Sequence, residues 1–519
     1  MAERDVPPIG TRISRLAAEA PDTPALTHGS GMGAGRTLTR GQLESMTNRL
    51  ARAYAELGVH QGDYVTIALP NSIEWVAAVV ATWKLGAIPQ PLSARLPDAE
   101  YGPLLDLRER ALLVGRPDPR GVVRSVPGDF DPGDVSDEPL PEAVSPSLKS
   151  MASGGSTGRP KLIEAGGDGR FNGTLVAAMM GNLATDTQLV SVPLSHNTGF
   201  TSATMALATG QHLVLMSRFD ACEFLRLITE YRVNYLATVP TIMQRLLPVY
   251  NAGRYDLSSV RRWWHLAAPC PPNVKEAWIE ILGPEVVWEL YGGTELQALT
   301  VISGTEWLGR RGSVGRVVSG QMKVLDDDGN ECPPGVVGEI FMRPAPGSRP
   351  TYRYIGSTAK SRPDAEGAWD SLGDLGWFDD EGYLYLADRR VDMFTVGGRN
   401  VYPAEIENAL ADHPAVLSSL VVGVPHDDLG QVPHALVHAG PGHDLDPAAI
   451  AAFVAQRLAD YKVPRGVEFV DTPLRDDAGK ARRTAVRDEV ISRMARDVNA
   501  RRDLMARDVN ARPPAPGSR

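Results

Sequence analysis

SGGSTGRPK, residues 153–161, is the most informative stretch of this sequence. Its three glycines let the backbone approach a ligand closely. The hydroxyl groups of Ser156 and Thr157 donate hydrogen bonds and Lys161 adds a positive charge, so the loop suits a polyphosphate. It is not a Walker A loop, because the pattern GxxxxGK[ST] is absent. An isolated loop of this kind is more often a plain flexible turn, so its meaning depends on the segments around it.

The segments on either side of this loop alternate between helical and strand periodicity. Apolar residues recur at helical spacing over 43–57 and 73–85, and residues 64–69 alternate as a strand. Residues 115–147 are rich in Pro, Gly and Asp and predict a surface excursion, whereas β/α alternation resumes from 188 to about 300. This order predicts a sheet with helices on both faces.

A second pattern begins after residue 388. Residues 402–410 and 447–458 have helical spacing, and 418–424 reads as a strand, which predicts a small α+β domain. The sequence MARDVNAR then occurs twice, at 494–501 and 505–512. Two copies are fewer than the roughly three that a solenoid needs. We therefore expect a mobile tail, with a partner-binding helix as the alternative.

Composition limits the class of protein. With 519 residues, the chain exceeds the roughly 100–200 residues of one ordinary domain. The formal charge of −10 argues against a nucleic-acid protein, because phosphate contacts need clustered Lys and Arg. Cys222, Cys270 and Cys332 form no CxxC pair, which fits a reducing compartment without a zinc site or disulfide framework.

The N-terminal segment and the apolar stretches predict the location. MAERDVPPIG has no apolar core of a signal peptide. The apolar stretch at 75–83 is far shorter than the roughly 20 residues that span a bilayer. We therefore expect a cytoplasmic protein without a membrane span.

Two further motifs carry chemically useful side chains. In WELYGGTE (288–295), Tyr291 offers a face for a base, Thr294 a hydroxyl for phosphate, and Glu295 a carboxylate for Mg²⁺. In LGDLG (372–376), Asp374 can accept two ribose hydroxyls, and Arg389 follows fifteen residues later. Taken alone, the GDLG segment is more often a turn, and Arg389 is more often a solvated surface charge.

Together and in this order, these segments resemble the adenylate-forming superfamily of acyl-CoA synthetases, luciferases and peptide-synthetase adenylation domains. The resemblance covers residues 10–495 and rests on SGGSTGRPK, VPLSHNTGF, YGGTE, GEIFMR, SLGDLGWFDDEGYLYLADRR, VGGRNVYPAEIENAL and DDAGKARR. It implies an α/β fold: a large N-terminal αβ domain of layered sheets and helices with a small β-barrel-like part, and a small mobile C-terminal α+β lid. The implied divisions are 1–390, 391–501 and a mobile tail at 502–519.

The resemblance assigns a nucleotide site residue by residue. The loop 153–161 closes over the β- and γ-phosphates of ATP, Ala268 lines the adenine slot, and Tyr291 stacks on the base. Asp374 binds the ribose hydroxyls. The implied ATP- and AMP-binding residues are Ser153, Gly154, Gly155, Ser156, Thr157, Gly158, Lys161, Ala268, Tyr291, Gly292, Asp374 and Arg389.

The resemblance also implies three catalytic residues. Thr294 touches the α-phosphate and Glu295 holds Mg²⁺. Lys480, in the AGK segment of the lid, bridges carboxylate and phosphate oxygens. Two anions meet when a carboxylate attacks ATP, and positive charge from Lys480 and Mg²⁺ stabilises that transition state.

The remaining residues that the resemblance implies belong to the acyl pocket and the lid. His196 and Gly293 border the acyl pocket, with a buried core histidine as the alternative for His196. Gly397 and Gly398 border the pantetheine tunnel of CoA. Val391 is the implied hinge, at a position where the family often has a polar or charged residue.

The implied function is ATP-dependent conversion of a carboxylic acid to an acyl-adenylate and then to a CoA thioester, with ATP, Mg²⁺ and CoA as cofactors. Two alternatives stay open: loading of a separate carrier protein, and a non-catalytic nucleotide-binding relative. Retention of the catalytic and nucleotide residues argues against the second. The paired glycines at 154–155 and 292–293 favour a ring-bearing acid. The expected partners are therefore a small-molecule acid and a thiol, without nucleic acid.

Overall fold

The chain divides into two compact units. The structure of the protein is a computed structural model that describes residues 6–30, 33–154, 160–440, 445–476 and 479–510. The first unit extends to Leu386 and includes Gly479, and the second runs from Ala387 to Asp476 and continues from Lys480. The resemblance implies that the mobile lid begins after residue 390, and this boundary stays a prediction.

The described part of the chain alternates between helices and strands throughout the first unit. The α-helices of both units, in chain order, are α1 Ile9–Glu19, α2 Arg40–Glu56, α3 Ile73–Lys84, α4 Asp98–Asp106, α5 Gly173–Met180, α6 Asn197–Thr209, α7 Ala221–Tyr231, α8 Pro240–Leu246, α9 Pro272–Leu282, α10 Gly304–Leu308, α11 Pro403–Ala411, α12 Pro447–Ala455 and α13 Arg483–Asn510. Short 3₁₀-helices span Leu247–Val249 and Asp460–Lys462.

The strands, in chain order, are β1 Pro24–Ser30, β2 Gly33–Thr39, β3 Tyr64–Ala68, β4 Ile88–Pro91, β5 Leu112–Gly115, β6 Ser125–Val126, β7 Ser150–Gly154, β8 Pro160–Ala165, β9 Thr187–Val190, β10 His212–Met216, β11 Tyr235–Thr238, β12 Arg262–His265, β13 Val287–Tyr291, β14 Leu299–Ser303, β15 Ser313–Ser319, β16 Gln321–Leu325, β17 Gly338–Arg343, β18 Tyr352–Ile355, β19 Lys360–Asp364, β20 Gly367–Phe378, β21 Leu384–Arg389, β22 Phe394–Val396, β23 Arg399–Val401, β24 Val416–His426, β25 Gly430–Ala439 and β26 Gly466–Val470.

The largest sheet has the strand order β16-β17-β20-β21-β15-β14-β13-β12-β11-β9-β10-β1-β2, with β19 beside β20. Strands β1, β10, β9, β11, β12 and β13 run parallel. Helices α6 to α9 connect the successive strands from β9 to β13 and cover them, so β11 is buried along its whole length. From β14 onward the pairs that link β13 to β15 and β21 are antiparallel. The small β-barrel-like part that the resemblance implies stays a prediction.

Strand β9 lies between β10 and β11. The chain passes from β9 to β10 on one side of it and then crosses over to form β11 on the other side. The carboxyl ends of parallel strands at such a switch point are where open α/β sheets bind ligands. Residues that directly follow β9, β11, β12 and β13 are therefore the first place to look for a site.

A second parallel sheet, β4-β3-β5-β6, has helix α3 beside it. Every residue of α3 except Glu74 is buried, and Ser72 caps its start by accepting a hydrogen bond from the Trp75 N–H at 3.1 Å. The predicted helix over 73–85 and strand over 64–69 are thus confirmed as α3 and β3. A three-stranded sheet, β18-β8-β7, completes the first unit.

The second unit contains a five-stranded sheet, β23-β22-β25-β24 with β26 beside β25. Ile406 and Leu410 of α11 and Ile450 and Val454 of α12 pack into its core. The two helices and β24 confirm the predicted small α+β domain. Helix α13 continues to Asn510, so 502–510 belong to this helix, whereas 511–519 lie outside the described residues. The mobility of the tail stays a prediction.

Among the described residues, no helix is both long enough and apolar enough to cross a membrane.

Candidate active site

Tyr291 and Asp374 meet at the carboxyl end of β13. The Tyr291 hydroxyl donates a hydrogen bond of 2.8 Å to Asp374 Oδ2. Asp374 lies in β20, which pairs with β17. At this position four residues of β20 span the same length as two residues of β17, so β20 contains a bulge. Gly373, at φ +83°, lies in this bulge, and its N–H donates to Ser371 Oγ at 2.9 Å. A bulge re-aims side chains, and here it directs Asp374 toward Tyr291.

A second contact set surrounds Glu295, which follows β13. Its side chain is buried, and Oε1 accepts a hydrogen bond of 2.6 Å from the Tyr354 hydroxyl. Lys161 Nζ lies 3.8 Å from the centroid of the Tyr354 ring. Burial and the nearby Glu295 charge raise the pKa of Tyr354, which keeps its hydroxyl a donor. Tyr354 therefore links two predicted site residues.

Both glycines of the YGGTE turn lie close to neighbouring side chains. A Cβ on Gly292 would come within 2.4 Å of Leu299 Cδ2, and a Cβ on Gly293 within 2.5 Å of both Glu295 Oε2 and Leu372 Cδ1. Leu296 closes the turn at φ +52°, an uncommon conformation for a leucine. Glycine at these two positions therefore avoids close contacts with Leu299, Leu372 and Glu295.

The loop 153–161 connects two paired strands. Ser153 lies opposite Lys161, and Gly154 lies opposite Pro160, in the antiparallel pair β7–β8. Gly155, Ser156, Thr157 and Gly158 lie outside the described residues. The structure thus gives the stem of the predicted phosphate loop, and the role of the loop stays a prediction.

His196 and Ala268 also follow parallel strands of the switch-point sheet. His196 is half-buried and precedes α6 as its N-cap residue, after β9. Ala268 is half-buried and follows β12 directly after Ala267, whose φ of +73° turns the chain sharply. The half-buried Thr294 follows β13. Predicted residues from separate motifs therefore share one edge of the sheet.

Lys149 lies beneath the start of α6 and was not predicted. Its ammonium donates hydrogen bonds to Asn197 Oδ1 and, at 3.2 Å, to Thr201 Oγ1. Burial lowers the pKa of Lys149 to about 8. A lysine that hydrogen-bonds two neutral oxygens in the core orients the residues directly after His196.

The other predicted residues lie on the second unit. Gly397 and Gly398, at φ +54° and +79°, form the two-residue turn between β22 and β23, which needs left-handed backbone at both positions. Val391 is 54% exposed. Arg389 ends β21, and its carbonyl accepts the Asp392 N–H at 2.9 Å.

Lys480 lies in a short segment before α13. Its side chain is exposed, and its N–H donates to Asp476 Oδ1 at 2.9 Å. The Asp476 N–H donates back to the Lys480 carbonyl at 3.0 Å. These two bonds join Asp476 and Lys480 within the second unit.

One residue of the candidate site, Glu295, suits a magnesium ion. In the part of the chain that the structure describes, no three or more His, Cys, Asp and Glu side chains cluster as a metal site. Glu295 offers hard carboxylate oxygens in a buried position, which suits Mg²⁺. An ion there would take its other ligands from nucleotide phosphates and water, as Mg²⁺ usually does.

Residues 13–347 match the model of the AMP-binding enzyme family, and residues 405–480 match its C-terminal domain. The chain belongs to the AMP-binding enzyme family. This confirms the predicted superfamily. The α/β fold with a large N-terminal and a small C-terminal domain is confirmed as well, because solved structures of the family share it.

Family members that are similar to this chain cover nearly all of it. The 2-succinylbenzoate–CoA ligase of Geobacillus kaustophilus is 32% identical, over 86% of this chain and 91% of the relative. A fatty acid–[acyl-carrier-protein] ligase of Streptomyces coeruleorubidus is 29% identical, over 93% and 96%. The o-succinylbenzoate CoA synthetase of Bacillus subtilis, solved with its acyl-adenylate intermediate, has a TM-score of 0.78 at 26% identity, over 92% of this chain and 97% of that one.

Proposed function

We propose that this enzyme activates a carboxylic acid with ATP to an acyl-adenylate and transfers the acyl group to the thiol of CoA. The observation that carries the proposal is the convergence of Tyr291, Asp374 and Glu295 at the carboxyl edge of the parallel sheet. Bound ATP needs an aromatic face for its base, a carboxylate that accepts the ribose hydroxyls, and a buried carboxylate that can hold a metal ion. Tyr291, Asp374 and Glu295 offer these three groups in that order.

The first half-reaction joins two anions. A carboxylate oxygen attacks the α-phosphorus of ATP, the bond to the bridging oxygen of the β-phosphate breaks, and pyrophosphate leaves. Tyr291 and Asp374 hold the base and ribose, and Thr294 donates to the α-phosphate. Lys480 supplies positive charge to the crowded oxygens in the transition state. Glu295 would hold Mg²⁺, whose charge would offset that of the phosphates.

The second half-reaction needs a thiol in place of Lys480. The sulfur attacks the acyl carbon, the bond to the adenylate oxygen breaks, AMP leaves, and the thiol proton passes to solvent. We assign the turn at Gly397 and Gly398 to the pantetheine tunnel and Val391 to the hinge on which residues 391–501 rotate. Arg389 stays assigned beside the ribose, and Lys161 with the loop from Ser153 to the β- and γ-phosphates.

A ring-bearing acid fits this proposal because similar family members act on 2-succinylbenzoate, which carries a ring. His196 and Gly293 border the acyl pocket in this assignment, and Ala268 and Gly292 the adenine slot. The similar carrier-protein ligase favours one alternative, the transfer of the acyl group to a carrier protein instead of CoA. We propose the cytoplasm as the location, since all three cysteines are free thiols, and no nucleic-acid partner, given the charge of −10.

The test is a panel of carboxylic acids scored by pyrophosphate release with ATP and Mg²⁺. We expect release with ring-bearing acids, and thioester only when CoA is added. Long straight-chain acids as the best substrates would overturn the ring preference. Thioester with a holo carrier protein but not with CoA would favour the alternative. No release with any acid would favour a non-catalytic relative.

A further inference from the structure

Glu407 is a buried carboxylate at the centre of the second unit. It lies on α11, is 8% exposed, and accepts the Val421 N–H of β24 at 2.8 Å. Oε2 accepts a hydrogen bond of 2.8 Å from Arg475 Nη2, and Oε1 pairs with Arg483 Nη1. Burial alone would raise the pKa of Glu407, but Arg483 and Arg475 hold it below its usual value. The carboxylate is therefore ionised and held by two guanidinium groups.

These two arginines flank the segment that carries Lys480. Arg475 directly precedes residues 476–482, and Arg483 directly follows them. One carboxylate thus holds both ends of this short segment. Arg483 is additionally tied to the Val421 carbonyl and lies 3.4 Å from Asp392 Oδ2.

Stability alone does not explain this arrangement. Taking three charged groups out of water is expensive, and apolar residues of similar volume are often equally or more stabilising. Buried ion pairs fix the relative positions of the groups that form them, because hydrogen bonds to a carboxylate are directional and apolar packing is not. The geometry fixed here is that of Arg475 and Arg483, the two residues that flank the segment bearing Lys480.

We propose that Glu407 is a positioning residue for adenylation, which presents Lys480 by holding Arg475 and Arg483 on either side of it. The inference rests on the proposed function, in which Lys480 acts in the first half-reaction. Glu407 itself contacts no substrate in this role. The turn at Gly397 and Gly398 has its own backbone hydrogen bond, from the Gly397 N–H to the Leu429 carbonyl at 3.0 Å, so we expect the second half-reaction to survive loss of the arginine pair.

Glu405 provides a matched control on the same helix. It lies two residues earlier and pairs with Lys462, whose Nζ is 2.6 Å from both carboxylate oxygens. This pair joins α11 to the 3₁₀-helix Asp460–Lys462 instead of the Lys480 segment. Glu405→Gln removes the same charge by the same chemical change.

The experiment measures single-turnover rates of both half-reactions in the full chain. The variants are Glu407→Gln, Arg475→Gln, Glu405→Gln, Lys480→Ala and the Glu407→Gln/Lys480→Ala double variant. Lys480→Ala should lower adenylation by about 10²–10³-fold. Glu407→Gln and Arg475→Gln should lower it by about 10–100-fold, the cost of misplacing a reacting group by about 1 Å. Thiolation from a supplied acyl-adenylate and both rates of Glu405→Gln should stay near those of the parent.

The double variant separates positioning from general stability. If Glu407 acts through Lys480, Glu407→Gln lowers adenylation no further once Lys480 is alanine. A further loss there, or equal loss of both half-reactions, overturns the proposal. If Glu407→Gln does not fold, Arg475→Gln decides, because it leaves Arg483 paired with Glu407, and parental adenylation in it overturns the proposal.

The same measurements distinguish this inference from the proposed function. Loss of adenylation in Lys480→Ala with parental rates in Glu407→Gln overturns the positioning role alone. Parental adenylation in Lys480→Ala overturns both that role and the assignment of Lys480. Absence of pyrophosphate release from the parent enzyme overturns the proposed function itself.

Discussion

Tyr291 and Asp374 are 83 positions apart in the chain, yet one hydrogen bond of 2.8 Å joins them. Tyr291→Phe keeps the ring that we assign to the base and removes the hydroxyl that hydrogen-bonds Asp374. Hydrogen bonds to charged groups contribute about 1.5–3 kcal/mol, so we expect KM for ATP to rise by about 10-fold or more. Steady-state pyrophosphate release measures it. Tyr101→Phe is the control, since its hydroxyl donates to the Arg116 carbonyl at 2.9 Å instead. An unchanged KM in Tyr291→Phe would contradict the assignment.

Lys149 makes the stability of the first unit depend on pH. The folded protein releases the Lys149 proton near pH 8, because burial lowers its pKa from 10.5 to about 8. The unfolded chain keeps the proton until its ordinary pKa. Below pH 8 the folded state therefore bears the cost of a buried charge, and the cost disappears as pH rises toward 10.5. The free energy of unfolding should rise by ~3 kcal/mol from this group over that range.

Lys149→Met isolates that contribution. The variant should be more stable than the parent at neutral pH and should gain less stability at alkaline pH. Urea unfolding followed by tryptophan fluorescence measures this, because all nine tryptophans lie before Leu386, in the first unit. Equal pH dependence in parent and variant would show that Lys149 does not titrate between the two states.

At the residue level, local motifs predicted Tyr291, Asp374 and Glu295, because each lies in a short segment with a recognisable composition. Tyr354 lies in no such motif. It contacts Glu295 from 59 positions away, and only the pairing of β18 with β8 brings it there. Alternation on β18 puts Tyr352 and Tyr354 on one face, but sequence alone does not show which strand that face meets. The roles of all these residues stay predictions.

At the level of elements, the bulge in β20 decides where Asp374 points. Gly373 adopts φ +83° there, and a Cβ would meet nothing within 4 Å, so Gly373→Ala is opposed by backbone conformation alone. Left-handed backbone costs a non-glycine residue about 1–2 kcal/mol. We expect lower stability and a raised KM for ATP, as the bulge relaxes and Asp374 turns from Tyr291.

Gly382 is a matched control for this substitution. It has φ +80°, also with nothing within 4 Å of a Cβ, and lies in the turn between Asp379 and Tyr383. Gly382→Ala should lower the free energy of unfolding by a similar amount and leave KM for ATP unchanged. If the two variants raise KM equally, the effect comes from general destabilisation and the bulge does not orient Asp374.

Periodicity predicted the elements well where burial is one-sided or complete, as in α3 and β3. The order of the strands in the sheets could not be predicted in this way. Strand β9 pairs with β10 and β11 on either side, and that arrangement depends on crossovers and long-range packing. Residues 115–147, predicted as a surface excursion, contain regular structure only in β5 and β6 among their described elements.

At the level of the whole molecule, helix α13 bears on where the functional chain ends. Val490 is buried, and Val486 and Ile491 pack beside it against Val422 and Leu436 of the second unit's sheet. These contacts lie in the first third of a helix that extends to Asn510. The helix is therefore anchored near its start, and the repeated MARDVNAR segments follow the anchor.

A chain ending at Arg501 should keep both half-reactions and the thermal stability of the parent, since it retains the whole anchor. A chain ending at Arg487 loses Val490 and Ile491, and fully burying a side chain such as that of Val490 contributes about 1.5–3 kcal/mol. We expect that shorter chain to lose the second unit's melting transition and both half-reactions. Circular dichroism melting and single-turnover kinetics of the two chains measure this. Loss of activity on ending at Arg501 would reassign the tail as part of the folded domain.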